Sequence, residues 1–138
     1  MHDKVPFKIR QDNCAYIFHE ESISERIFAF SYENDRWFVK ISTTYQETKT
    51  TKIEMEIKSD IPEKFLAKVL KINTNIFETH IMGCDGSFTE LEIGDYSGFT
   101  KVRWWASGPE KWLEIVKVTN ALIKRISTLA KNYEQELG

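Results

Sequence analysis

Two runs of alternating residues, Phe88–Ile93 and Phe99–Trp105, constrain what this chain can become more than any other feature in it. The stretch Asp95-Tyr96-Ser97-Gly98 between them is rich in turn formers, so the runs read as the arms of a β-hairpin. With those four residues as the loop, Gly94 faces Phe99 and the rest of the register follows. Leu91 then meets Val102, Thr89 meets Trp104, and Ile93 meets Thr100 on one face. On the other face Glu92 meets Lys101, Glu90 meets Arg103 and Phe88 meets Trp105. Opposite charges set directly across an antiparallel pair each add about 0.2–1 kcal/mol. Two such matches and an aromatic pair in one register leave little room for another.

A second hairpin precedes it. Phe28, Phe30 and Tyr32 alternate with Ile27, Ala29 and Ser31, and the run Trp37–Ile41 alternates again after Glu33-Asn34-Asp35-Arg36. Asn and Asp both tolerate positive φ, so Asn34-Asp35 suits a two-residue turn. That turn pairs Glu33 with Arg36, Tyr32 with Trp37, Phe30 with Val39 and Phe28 with Ile41. The large residues of the last three pairs share a face. A further strand follows, with Ile53, Met55 and Ile57 between Lys52, Glu54, Glu56 and Lys58. Phe7-Lys8-Ile9 and Ala15-Tyr16-Ile17-Phe18 read as short strands near the start.

Two segments carry helical signals. Asp60-Ile61-Pro62-Glu63 resembles a capping box with Asp60 as N-cap, and Phe65, Leu66, Val69 and Ile72 form an apolar stripe behind it. Ser107-Gly108-Pro109-Glu110 is a second capping box. From Trp112 onward Ile115, Val116, Leu122, Ile123, Ile126, Leu129, Ala130 and Tyr133 recur at helical spacing, over roughly residues 108–135. The expected fold is therefore α+β. An antiparallel β-sheet of about five to seven strands carries a short middle helix and a long C-terminal amphipathic helix packed on one face.

The 138 residues fit one α+β domain with one core, spanning 1–138. Nineteen basic residues stand against 21 acidic ones, a net charge of -2, without the basic stripe expected of a protein that grips phosphate backbone. The start of the chain shows no apolar leader, and no apolar run approaches a membrane span. The expectation is a cytoplasmic protein with its two thiols, Cys14 and Cys84, free.

One helix layer covers one sheet face. The inner face would carry Phe28, Phe30, Tyr32, Trp37, Val39, Ile41, Ile53, Met55, Ile57, Leu91, Val102 and Trp104. Phe38, Lys40, Phe88, Glu90, Glu92, Phe99, Lys101, Arg103 and Trp105 fall on the other. Aromatics mixed with Arg are the composition of interface hot spots, so Phe38, Lys40, Phe88, Lys101, Arg103 and Trp105 form a candidate partner-binding face. Trp105 ends its strand and could instead fold beneath the last helix beside Trp112, and the first helix could cover part of this face. A rival site is a ligand pocket between sheet and C-terminal helix, lined by Tyr32, Trp37 and Trp104. Single-stranded nucleic acid stacking on Phe38, Phe88 and Trp105 is opposed by the glutamates between them.

Catalytic chemistry finds little support. His80 and Cys84 sit four apart, and Cys14 with His19 makes a similar pair, but neither spacing matches a zinc site. The paired carboxylates Glu54/Glu56 and Glu90/Glu92 alternate on strands and point to solvent, with no sign of the burial a general acid or base needs. Gly83-Cys84-Asp85-Gly86 lacks the glycine spacing of a phosphate cradle and precedes a strand, so it reads as a turn. No catalytic residue, metal ligand or cofactor is assigned.

The segments Asp85–Ile93, Val102–Trp105 and Gly108–Leu113 together resemble a pattern in small uncharacterised bacterial α+β proteins. Some of those are thought to be immunity proteins that neutralise a toxin domain. The resemblance implies a non-enzymatic, toxin-binding role. Such proteins share no common binding motif, so it assigns no residue a role. The expectation is a protein-binding module with a protein partner on the outer sheet face, or a second copy of itself as a homodimer through the same face.

Overall fold

A computed structural model describes residues 5–14, 24–45, 49–72, 86–95, 98–105 and 112–137. They form six strands, β1 (Phe7–Cys14), β2 (Ser24–Glu33), β3 (Arg36–Tyr45), β4 (Lys49–Ile57), β5 (Gly86–Asp95) and β6 (Gly98–Trp105). Helix α1 (Asp60–Val69) lies between β4 and β5, and α2 (Leu113–Leu137) follows β6. The strands build one antiparallel sheet in the order β4-β3-β2-β1-β5-β6.

Both hairpin registers come out as the side-chain patterns require. Glu33 pairs with Arg36, Tyr32 with Trp37, Phe30 with Val39 and Phe28 with Ile41. Asn34 and Asp35 both take positive φ, 53° and 65°, as a type I′ turn demands. In the second hairpin Gly94 pairs with Phe99, Leu91 with Val102 and Phe88 with Trp105, and one further pair, Asp95 with Gly98, shortens the loop to two residues. Gly94 bends the strand at φ 116°, and its N–H donates to the Pro6 carbonyl at 2.8 Å.

The first strand departs from expectation. β1 does not stop at Ile9 but runs to Cys14 in the middle of the sheet, between β2 and β5. Phe7 and Ile9 continue two apolar rows across all six strands, Met55–Val39–Phe30–Phe7–Ile93–Thr100 and Ile53–Ile41–Phe28–Ile9–Leu91–Val102. Ala15–Phe18, the other early strand expected from sequence, lies outside the described residues.

Both helices pack on this apolar face. The α1 stripe of Ile61, Phe65, Leu66 and Val69 joins Ile115, Val116, Leu122, Ile123 and Ile126 of α2 in a single cluster with the sheet's inner residues. Phe65 stacks on Phe7 with ring centroids 5.0 Å apart, and Phe7 stacks on Phe30 at 4.3 Å. The first helix therefore covers none of the outer face, because its apolar stripe is spent on Phe7. Two details of the helix ends differ from the sequence reading. Ser59, not Asp60, precedes the first turn, and no side chain caps it. Glu63, expected to close a capping box, instead accepts a hydrogen bond from Trp37 Nε1 at 3.0 Å. The described part of the last helix begins at Leu113, and Ser107–Glu110 lies outside the described residues.

Candidate functional site

The face turned away from the helices holds a network of charges around one carboxylate. Glu90 sits in a cross-strand row between Arg10 on β1 and Arg103 on β6. Arg103 donates to Glu90 Oε2 from both Nε, at 3.0 Å, and Nη2, at 2.8 Å. Lys101 Nζ approaches Oε1 at 3.6 Å. The Glu90 side chain is only 6% exposed, although no described helix lies on this face. Burial by itself pushes Glu90 upward in pKa. The hydrogen bond from Arg103, with the charges of Lys101, Arg103 and Arg10, outweighs burial and holds the carboxyl below its ordinary range.

Aromatic packing completes the cluster. The guanidinium carbons of Arg103 and Arg10 lie 4.6 Å and 5.4 Å from the centroid of the Phe88 ring. Arg10 is held in turn by Glu25, with Nε 2.9 Å from Oε2, and by Asp12 at 3.2 Å. Lys8 reaches Glu92 at 3.7 Å. Lys101 and Glu92 are opposed in register, and each engages a neighbour, Lys101 reaching diagonally to Glu90 and Glu92 reaching across to Lys8 on β1.

The structure gathers some of the candidate contact residues and separates others. Lys101 and Arg103 are exposed and adjacent. Phe88, expected to be offered to a partner, is buried on the outer face, with the two arginine side chains packed over its ring. Phe38 is half-buried and Lys40 exposed, but both are on β3, four strand spacings from Lys101 and Arg103 on β6 and so roughly 19 Å or more from them. The backbone of Trp105 pairs with Phe88, while its side chain, like that of Phe99, is outside what the structure describes.

Tyr32, Trp37 and Trp104 do not converge on one pocket. Trp37 packs against Tyr32 with centroids 5.5 Å apart, whereas Trp104 shares a row with Thr89 and Gln11 at the other end of the sheet. Four strand spacings and three rows put the two tryptophans on the order of 25 Å apart. Both are fully buried core residues. A pocket of about 250 Å³ does lie between sheet and helices, lined instead by Val69, Leu70, Ile72, Leu91, Ile93, Thr100, Val102 and Ile115.

Arg10, Asp12 and Glu25 were missed by sequence reasoning. Arg10-Gln11-Asp12-Asn13 has no apolar residue to extend the Phe7/Ile9 alternation, so its membership of a strand was hidden. Among the described residues no cluster of three or more His, Cys, Asp or Glu side chains could hold a metal ion. His19, His80 and Cys84, and the side chain of Cys14, lie outside them. No described helix is long and apolar enough to cross a membrane. No family model matches the chain, and no curated protein matches it in sequence.

Proposed function

We propose that this protein is a non-enzymatic protein-binding module of the bacterial cytoplasm whose partner docks on the sheet face opposite the helices. The observation that carries this reading is the state of Arg103. Its side chain is 49% exposed, yet it is fixed by two hydrogen bonds to a buried carboxylate and by the Phe88 ring. A free surface arginine must be ordered when a partner binds; one already held loses little further freedom. Arginine in that condition is the residue type that anchors interfaces. Lys101 beside it gives the partner's contact surface an acidic preference. The resemblance of residues 85–113 to immunity-type proteins suggests the nature of the partner, a toxin domain that the module would neutralise.

The direct test is affinity capture from the source cells with wild-type bait beside Arg103→Glu and Lys101→Glu. A stoichiometric protein retained by wild type and lost by both folded variants supports the proposal. Equal capture by all three baits removes this face from it.

A small-ligand binder or enzyme is the second reading, and the pocket near Val102 is the observation in its favour. Among its described lining residues only Thr100 carries a polar side chain. Specific ligand sites bring several polar groups together, so the lining favours the first reading. Soaking purified protein with a library of apolar fragments and finding one displaced by Val102→Trp would reverse that preference.

A further inference from the structure

We propose that the β4 edge of the sheet pairs with the β4 edge of a second copy of this chain, antiparallel, about a twofold axis at Ile53. This uses a different surface from the partner-binding face, so neither reading rests on the other.

The backbone polarity of the edge follows from the first hairpin. In a two-residue type I′ hairpin the residues flanking the turn, here Glu33 and Arg36, exchange hydrogen bonds, and the bonded pairs then alternate along the ladder. Phe38, Lys40 and Ser42 accordingly bond to β2, and Trp37, Val39, Ile41 and Thr43 bond to β4. Their partners Ile57, Met55, Ile53 and Thr51 use their N–H and C=O groups inward. Thr50, Lys52, Glu54 and Glu56 are left with theirs directed away from the sheet. Among the described residues β4 has β3 as its sole strand neighbour.

Charge then selects how a second copy can add. Only registers that set these four residues against one another satisfy the outward groups. With Ile53 on the axis, Lys52 of each copy faces Glu54 of the other, twice, and Thr50 faces Glu56. A shift of two residues one way sets Glu54 against Glu54, and the other way Lys52 against Lys52. The axial register is thus the one with two opposite pairs and no like pair. In it Glu54 lies between Lys40 of its own β3 and Lys52 of the second copy. Ile53 fits the same place. It is half-buried while Met55 and Ile57 on the same strand are buried, and across the axis it meets its own counterpart at the close spacing of a non-hydrogen-bonded pair.

The opposite edge behaves differently. The charged residues of β6 are Lys101 and Arg103, both cations, so two β6 edges repel. Charged edge strands commonly serve to prevent pairing. On β6 the charges do that, while on β4 they are complementary to themselves. The contact is a single strand pair and small, so the dimer forms in a concentration-dependent way.

Sedimentation equilibrium of the full chain tests the arrangement, with circular dichroism confirming that each variant is folded. Lys52→Glu and Glu54→Lys each place like charges at both pairs and are expected to raise the dimer dissociation constant about tenfold or more. The double exchange Lys52→Glu, Glu54→Lys, made together with Lys40→Glu so that position 54 keeps an opposite charge across from it within the chain, restores opposite charges in the same register and should return the constant close to wild type. Lys52 faces Ser42 within the chain, so its reversal disturbs no intramolecular ion pair in the ladder. Wild type that stays monomeric at every concentration overturns the proposal. So does a dimer indifferent to the single reversals, or a growing series of larger species, which would mean β4 pairing with β6 instead. A double exchange as weak as the singles overturns the register.

Discussion

Trp37 Nε1 and the Glu63 carboxylate, 3.0 Å apart, tie β3 to the first full turn of α1. The indole is completely buried, so its N–H has no access to water and depends on Glu63. Trp37→Phe and Glu63→Ala, alone and together, should reveal a coupling of about 1 kcal/mol in urea unfolding. Additive effects would mean that water or another acceptor replaces the bond in the single variants.

Glu90 gives the fold a specific acid sensitivity. Its folded pKa lies below that of an unfolded glutamate, about 4.3. The stabilisation it supplies is complete above that value and is lost as pH falls through the lower folded one. Glu90→Gln should cost about 1–3 kcal/mol at neutral pH and flatten the decline of stability below pH ~4.3. A variant with the wild-type slope would show that other carboxylates govern acid unfolding.

Phe7 touches both layers, stacking on Phe30 of the neighbouring strand and on Phe65 of α1. Phe7→Ala should lower stability by about 3–5 kcal/mol, a large part of what a domain of this size possesses. A loss under 1 kcal/mol would mean that the first strand is peripheral to the cooperative unit.

The type I′ turn makes a smaller claim. Asn34 tolerates its positive φ, and Asn34→Ala should cost about 1–2 kcal/mol without altering the register. Thermal unfolding of the variant is the check, and an unchanged transition would contradict the turn assignment.

Much of this architecture was written in local chemistry. The two hairpins declared their registers because turn type, apolar alternation and cross-strand charge all had to agree, and each pair could be counted from its own turn. β1 had no such turn. Its neighbours β2 and β5 lie on opposite sides of it, and Arg10, Gln11, Asp12 and Asn13 look like a loop until Glu90 and Glu25 are seen across from them. The same gap hid half of the charge cluster: Arg103 with Glu90 could be read from the hairpin, but Arg10 could not. Phe88 failed for a related reason. Strand alternation assigns a face, and face alone does not reveal that arginines from two strands will pack over a buried ring there. Tyr32, Trp37 and Trp104 all point inward, and only the strand order shows that Trp104 stands at the opposite corner from the other two.

The central position of β1 has a consequence for a nascent chain. Ribosomal synthesis delivers β1 first, and β2, β3 and β4 can zip onto one side of it as they emerge. Its other side must wait for Gly86–Asp95, so Phe7 meets Ile93 late and across most of the sequence. Such distant closure is slow compared with hairpin formation. Through that interval the chain carries an unfinished border that is later the middle of the sheet. Lys8 and Arg10, which end as ion-pair partners, are on that border meanwhile, and their charge discourages premature pairing with other nascent chains.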